Sequence, residues 1–137
     1  MRIKDVMTPG VESATPELPV RDAAARMRDC NIGSMPVLEK GHVIGLITDR
    51  DICCRVVGDE RDPAKTRVKD IMSTDILFCF HDQNISDAAK LMESNHVRRL
   101  VILTRDKTLA GFLSVDDLAR WNHNLAGEVL EAVRPAH

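Results

Sequence analysis

Two short patterns carry the side chains best placed for chemistry: Thr48-x-x-Asp51 and Ser114-x-x-Asp117, each with a glycine (Gly45, Gly111) three residues before the hydroxyl. A hydroxyl at the point where a strand meets a helix can donate to a phosphate, which the free N–H groups and dipole of the helix N-terminus also favour. A carboxylate one turn later can accept both hydroxyls of a ribose. The same spacing also makes a capping box, in which Thr or Ser accepts from the third helical N–H and the aspartate reaches back to the cap. That local use alone accounts for a generic S/T-x-x-D. Here the longer pattern G-h-h-[S/T]-x-x-D-h, with h apolar, occurs twice, at Gly45–Ile52 and Gly111–Leu118. That double occurrence favours a ligand site. Arg50 can pair with a phosphate or with Asp49. Arg98 and Arg99 precede a strand, and alternation along it turns only one of them inward, with Arg98 slightly favoured; the other reading is a solvated pair on a strand edge.

The elements that must position these residues repeat as well. Ile3–Thr8 returns as Val68–Ser73, 65 positions on, and Asp22-Ala23-Ala24 returns as Asp87-Ala88-Ala89 at the same displacement. One residue is then gained before the two glycine-led segments align. Half-units this short bury little apolar surface alone, so the two are expected to pack about a pseudo-twofold axis around shared clefts. Each half reads as strand, helix, strand, strand, helix. In the first, 11–14 is an extended piece, Val20, Ala23, Ala24, Met27 and Cys30 form a helical stripe after Pro19, and 35–38 and 43–47 are strands joined over 39–42. A second helix begins near Asp49. In the second half the strand is 76–80, Ile85, Ala88, Ala89 and Met92 carry a stripe capped by Asn84, and 100–103 and 109–113 pair across the turn 104–108. The last helix, about 115–121, leads to a tail with Leu125, Val129, Leu130 and Val133, expected to be helical and to pack on a neighbour or a partner subunit.

Composition narrows the function classes. The chain has 137 residues, 44% of them hydrophobic and 29% charged, with a net charge of −2. That balance lacks the basic face of a nonspecific nucleic-acid binder, and no apolar run reaches membrane-spanning length. The N-terminus runs straight into repeated sequence, which argues against a signal peptide and for a cytoplasmic protein. Cys30, Cys53, Cys54 and Cys79 have no C-x-x-C spacing and do not recur between the halves, so they are expected to be small buried hydrophobes in a reducing compartment, with a zinc site or redox switch as the other reading. The five histidines are scattered and supply no metal-ligand pair. Met7, Met27, Met72 and Met92 recur in register and are expected in the core. Asn84-Ile85-Ser86 matches a glycosylation sequon, without meaning in a cytoplasmic chain.

Taken together, 4–8 and 69–73, the Asp-Ala-Ala helices, 31–37, 96–102 and both glycine-led segments resemble a tandem pair of cystathionine-β-synthase (CBS) domains, or Bateman module, over residues 2–122. Thr48-Asp49-Arg50-Asp51-Ile52 followed by Asp62-Pro63 resembles small stand-alone bacterial CBS proteins, including the hypoxic-response type. The resemblance implies an α/β (α+β) fold of two β-α-β-β-α repeats: repeat 1 over 1–60, a linker over 61–67, repeat 2 over 68–122 and a tail over 123–137. It also implies clefts that bind an adenosyl ligand such as AMP, ADP, ATP or S-adenosylmethionine. By position, Thr48, Asp49, Arg50 and Asp51 serve one cleft; Ser114, Asp116 and Asp117 serve the other. Thr8, Met35 and Pro36 wall the adenine, and Arg98 or Arg99 meets the phosphates. Two departures, Val101 in place of Pro36 and Phe78-Cys79-Phe80-His81 beside the second cleft, make the first cleft the better candidate. No catalytic constellation sits at repeat-consistent positions, so the expected function is regulatory and non-catalytic, in a homodimer that acts on another chain. A CBS pair with degenerate sites that serves as a protein-interaction module is the alternative.

Overall fold

The computed structural model describes residues 1–133. The predicted amphipathic stripes become α2 (Val20–Cys30) and α5 (Ile85–Asn95). Pro19 caps α2 at the position where its missing N–H removes no bond. Asn84 Oδ1 accepts from Ser86 N at 3.2 Å to cap α5. Both helices end on a left-handed residue, Asn31 (φ 54°) and His96 (φ 55°). Asn tolerates that conformation better than most residues.

Each helix is followed by a hairpin: β2 (Ser34–Glu39) with β3 (His42–Thr48), and β5 (Arg99–Leu103) with β6 (Leu109–Ser114). Lys40 and Gly41, both at positive φ, close the first over a two-residue turn. Register shifts fall at matching places, Val37/Leu38 and Ile102/Leu103. After β3 come α3 (Asp49–Ile52) and a π-helical turn (Cys53–Val57). After β6 come α6 (Val115–Trp121), as predicted, and α7 (His123–Ala132). Each half also opens with a four-residue helix that the periodicity did not show, α1 (Ile3–Val6) and α4 (Val68–Ile71). Such short turns lie below the length at which an apolar stripe repeats.

Packing divides the chain into two compact units, 12–76 and 1–11 with the chain from Leu77 onward. Each unit therefore takes its K-D-h-M-[ST] segment from the start of the other sequence repeat. In the unit starting at Leu77, β1 (Thr8–Pro9) adds antiparallel to β6, and the sheet order is β1-β6-β5-β4, with β4 (Phe78–Phe80) parallel to β5. In the other unit the outer strands shrink to single bridges, Ser73 to Leu46 and Ala14 to Val37, around the pair β2–β3. The extended piece expected over 11–14 is therefore one bridge at Ala14, and the strand expected over 76–80 begins at Phe78.

Each unit has its own core. Met92, Leu100, Ile102, Leu113 and Leu118 centre one; Val20, Met35, Val37 and Ile47 centre the other. Burying an aliphatic side chain of this size stabilises by about 1.5–3 kcal/mol. Met27 and Met92 are buried, while Met7 and Met72 pack at the core margins. The tail helix α7 packs on α5 and α6 through Ala126 and Val129, whereas Leu130 is 47% exposed. The part of the expected tail beyond Val133 lies outside the described residues. The cysteine expectation requires correction: Cys30, Cys53 and Cys54 are exposed, and only Cys79 is buried. Cys30 ends α2, and Cys53 and Cys54 open a π turn whose single buried residue is Val56, so none faces the core.

Candidate functional site

Both S/T-x-x-D segments form complete capping boxes. Thr48 Oγ1 accepts from Asp51 N at 3.1 Å while Asp51 Oδ2 accepts from Thr48 N at 2.9 Å. Ser114 and Asp117 repeat these bonds at 3.1 and 2.9 Å. The box brings hydroxyl and carboxylate together at the strand end, and it engages only one of the two carboxylate oxygens.

The neighbours of these boxes correspond residue by residue. Asp49 N donates to Gly33 O at 2.9 Å, and Val115 N donates to Arg98 O at 2.9 Å, so each motif is tied to the chain leaving the preceding helix. Leu46 and Ser73 exchange both backbone hydrogen bonds at 2.9 Å, which lays the Met72-Ser73 segment along β3; Thr8 and Pro9 lie along β6 in the same way. Gly45 and Gly111 permit that approach. A Cβ on Gly111 would stand 2.4 Å from Thr8 O, and one on Gly45 would stand 2.5 Å from Met72 Sδ. Gly33 serves likewise, since a Cβ there would stand 2.9 Å from Asp49 Oδ2.

The second carboxylate oxygen distinguishes the two sites. Asp117 Oδ1 accepts from Thr8 Oγ1 at 3.2 Å, and the residue is 6% exposed. Asp51 Oδ1 lies 3.9 Å from Arg55 Nη1, beyond hydrogen-bond distance. Arg55 Nη1 donates instead to Ile71 O at 2.8 Å, which fastens the turn before Ser73. Arg55 follows Asp51 by four residues, one helical turn, and that spacing is the signal by which it could have been found; its counterpart is Trp121.

The remaining predicted site residues are distributed as follows. Met35 and Pro36 are buried in β2, with Pro36 opposite Leu46. Asp49 and Arg50 are exposed, and Asp49 Oδ1 accepts from Arg50 N at 2.8 Å. Asp116 is exposed. Arg98 lies just before β5 and Arg99 opens it opposite Ser114; both are exposed, and the rest of β5 is buried at every position, so no alternation along the strand chooses between them. In β4, Phe80 meets Phe78 edge to face at 5.5 Å, and the Arg105 guanidinium lies 4.3 Å above its ring. Arg105 is also held by both oxygens of Asp82 at 3.0 Å. One face of Phe80 is thereby closed to a stacking base, while Phe78 is 41% exposed. Between them Cys79 points into the core, and burial, with a smaller contribution from Asp87, pushes its thiol up to about 11. Among the described residues there is no cluster of three or more metal-ligating side chains, and no helix is long and apolar enough to cross a membrane.

The family model for the CBS domain matches twice, over residues 3–58 and 68–124. The chain belongs to the CBS-domain family. Its tandem arrangement is that of a CBS-pair regulatory module. The CBS domain-containing protein YhcV of Bacillus subtilis is 35% identical over 130 residues, which cover 93% of this chain and 91% of that protein. Hypoxic response protein 1 of Mycobacterium tuberculosis is 26% identical over 118 residues, 85% of this chain and 82% of that one. The Arabidopsis thaliana CBS-pair protein CBSX2, solved in complex with AMP, superposes with a TM-score of 0.77 over 90% of this chain and 97% of its own, at 22% identity. The α+β fold and the resemblance read from the sequence both hold.

Proposed function

We propose that this CBS pair senses an adenosyl ligand, in the class of AMP, ADP, ATP or S-adenosylmethionine, and has no catalytic step of its own. The observation that carries the reading is the open carboxylate oxygen of Asp51, held by the capping box beside the Thr48 hydroxyl at the end of β3. A ribose diol can donate to Oδ1 while Oδ2 keeps the cap in place. Arg50, exposed on the same turn, offers a cation for phosphate. CBSX2, a protein of the same fold, was solved with AMP, which supports the ligand class. Binding would act on another chain by favouring one of two states of the module, with a homodimer as the expected assembly.

Thermal unfolding in the presence of each of the four ligands tests this, with Asp51→Ala and Asp117→Ala in parallel. A ligand at about 100 times its dissociation constant adds about 2.7 kcal/mol, a rise of several degrees in a domain this size. The reading expects that rise for at least one ligand and its loss in Asp51→Ala. No rise with any of the four would leave the second reading, a protein-interaction module, which an apolar groove beside α2 independently favours.

A further inference from the structure

Arg55 follows Asp51 by one helical turn, and a single nitrogen of its guanidinium stands between two acceptors. Arg55 Nη1 donates to Ile71 O at 2.8 Å and lies 3.9 Å from Asp51 Oδ1. A shift of about 1 Å toward the carboxylate would bring that second oxygen within hydrogen-bond distance. The arginine has room to make it, since its side chain is 50% exposed, whereas that of Asp51 is 12% exposed. A carboxylate so sheltered from water attracts a cation more strongly than an exposed one. The other oxygen of Asp51 is committed to the capping box, where it accepts from Thr48 N at 2.9 Å.

The Ile71 carbonyl is the rival acceptor. It ends α4, a helix of four residues whose last carbonyls have no partner inside the helix. Ile71 is 2% exposed, which leaves Arg55 rather than water as the donor to that carbonyl. Two residues on, Ser73 exchanges both backbone hydrogen bonds with Leu46 at 2.9 Å, and the pairing is a single bridge. The other unit fixes its equivalent segment differently. There Thr8 Oγ1, at the position of Ser73, donates straight to Asp117 Oδ1 at 3.2 Å, β1 adds a two-residue ladder, and Trp121 stands where Arg55 does. Asp117 is tied to its flanking segment directly; Asp51 reaches its own through Arg55.

We propose that Arg55 is a positioning residue that couples the state of Asp51 Oδ1 to the Ile71–Ser73 segment. While Oδ1 is free, it competes with the Ile71 carbonyl for Nη1. A hydroxyl that donates to Oδ1 weakens that competition, leaves Nη1 on the carbonyl and secures the segment on β3. By linkage, a secured segment favours occupancy of Oδ1. The ligand half of this coupling rests on the adenosyl reading above; the competition between the two acceptors does not.

Amide hydrogen exchange of the full chain, followed by NMR at Ser73 and Leu46 and referred to other amides of the β2–β3 ladder, tests it. In the ligand-free protein Arg55→Met should speed exchange at both amides about fivefold, the worth of one hydrogen bond. Asp51→Asn, which keeps an oxygen for the cap but carries no charge, should slow exchange about twofold or more. It should do nothing once Arg55→Met is also present. Saturating AMP should slow both amides in the wild type by a similar factor and leave those of Arg55→Met unmoved. The proposal is overturned by unchanged exchange in Arg55→Met, or by an effect of Asp51→Asn or of AMP that is as large without the arginine as with it. Loss of AMP binding in Arg55→Met overturns it too, since the arginine would then be a ligand contact. Failure of AMP to bind the wild type would strike AMP from the ligand reading alone, and the ligand-free comparison would still decide the role of Arg55.

Discussion

Asp51 and Asp117 stand at the same position of the same motif, yet they hold different amounts of local work. Both close a capping box with one oxygen. With its other oxygen Asp117 accepts from Thr8, a residue brought to it by the β1–β6 pairing. Asp51 has the Arg55 guanidinium at 3.9 Å, and Arg55 turns to the Ile71 carbonyl instead. One carboxylate is hydrogen-bonded at both oxygens within its own chain, and the other keeps an oxygen without a hydrogen bond. The duplicated motif is therefore not duplicated in its contacts: the residue that reaches the carboxylate differs between the copies.

The largest expected effect comes from the glycines that admit the flanking segments. Gly111→Ala sets a Cβ against the backbone oxygen of Thr8, which can move only if β1 lifts. It should cost about 1–3 kcal/mol in urea unfolding and break the Thr8–Asp117 bond. Gly45→Ala meets first the flexible Met72 thioether, with Ser73 O at 3.1 Å, and should cost less. Equal losses would show that the two flanking segments are held alike.

A pH comparison follows from Cys79, whose counterpart in the other repeat is Ala14. The folded thiol titrates near 11, above its ordinary value of 9.0. Between those values the unfolded chain loses the proton while the folded one keeps it. Stability is therefore full below pH 9 and falls as pH rises to about 11, by roughly 1–2 kcal/mol after allowance for solvent screening. Cys79→Ala should flatten the curve in that window, and an unchanged slope would assign the loss to other groups. Native-state titration with a thiol reagent should reach Cys30, Cys53 and Cys54 well before Cys79.

Thr8→Val tests the asymmetry itself. It removes the bond to Asp117 and should cost about 0.5–1.5 kcal/mol, while raising the ligand stoichiometry from one site to two. A stability loss without a second site would mean that more than Thr8 closes that repeat. The smallest effect is expected from Arg55→Met, which removes a half-exposed guanidinium 3.9 Å from Asp51 and its one hydrogen bond to Ile71 O and should cost about 1 kcal/mol.

The repeat was legible as a recurrence at 65 positions, and both long helices, both hairpins and both capping boxes because each follows from a period or a spacing within about a dozen residues. The exchange of K-D-h-M-[ST] segments between the compact units was not. Nothing local in Ile3–Thr8 says that it pairs with β6 rather than β3; the choice depends on which strand edge it reaches. The Thr8–Asp117 bond spans 109 positions and depends on that exchange. The exposed cysteines were misread for a related reason: composition treats Cys as a buried type, whereas these three lie on outer helical faces. Arg55 needed only the i, i+4 rule applied to Asp51, and its second bond to Ile71 O needed the fold.

The central claim is that the carboxylate of Asp51 holds an adenosyl ligand. Calorimetric titration of the wild-type chain and of Asp51→Ala with AMP, ADP, ATP and S-adenosylmethionine tests it most directly, with circular dichroism to show that both are folded. The account predicts saturable heat with at least one of the four in the wild type and its loss in Asp51→Ala. Binding that survives in Asp51→Ala and disappears in Asp117→Ala would contradict it, and would place the ligand in the repeat that appeared closed.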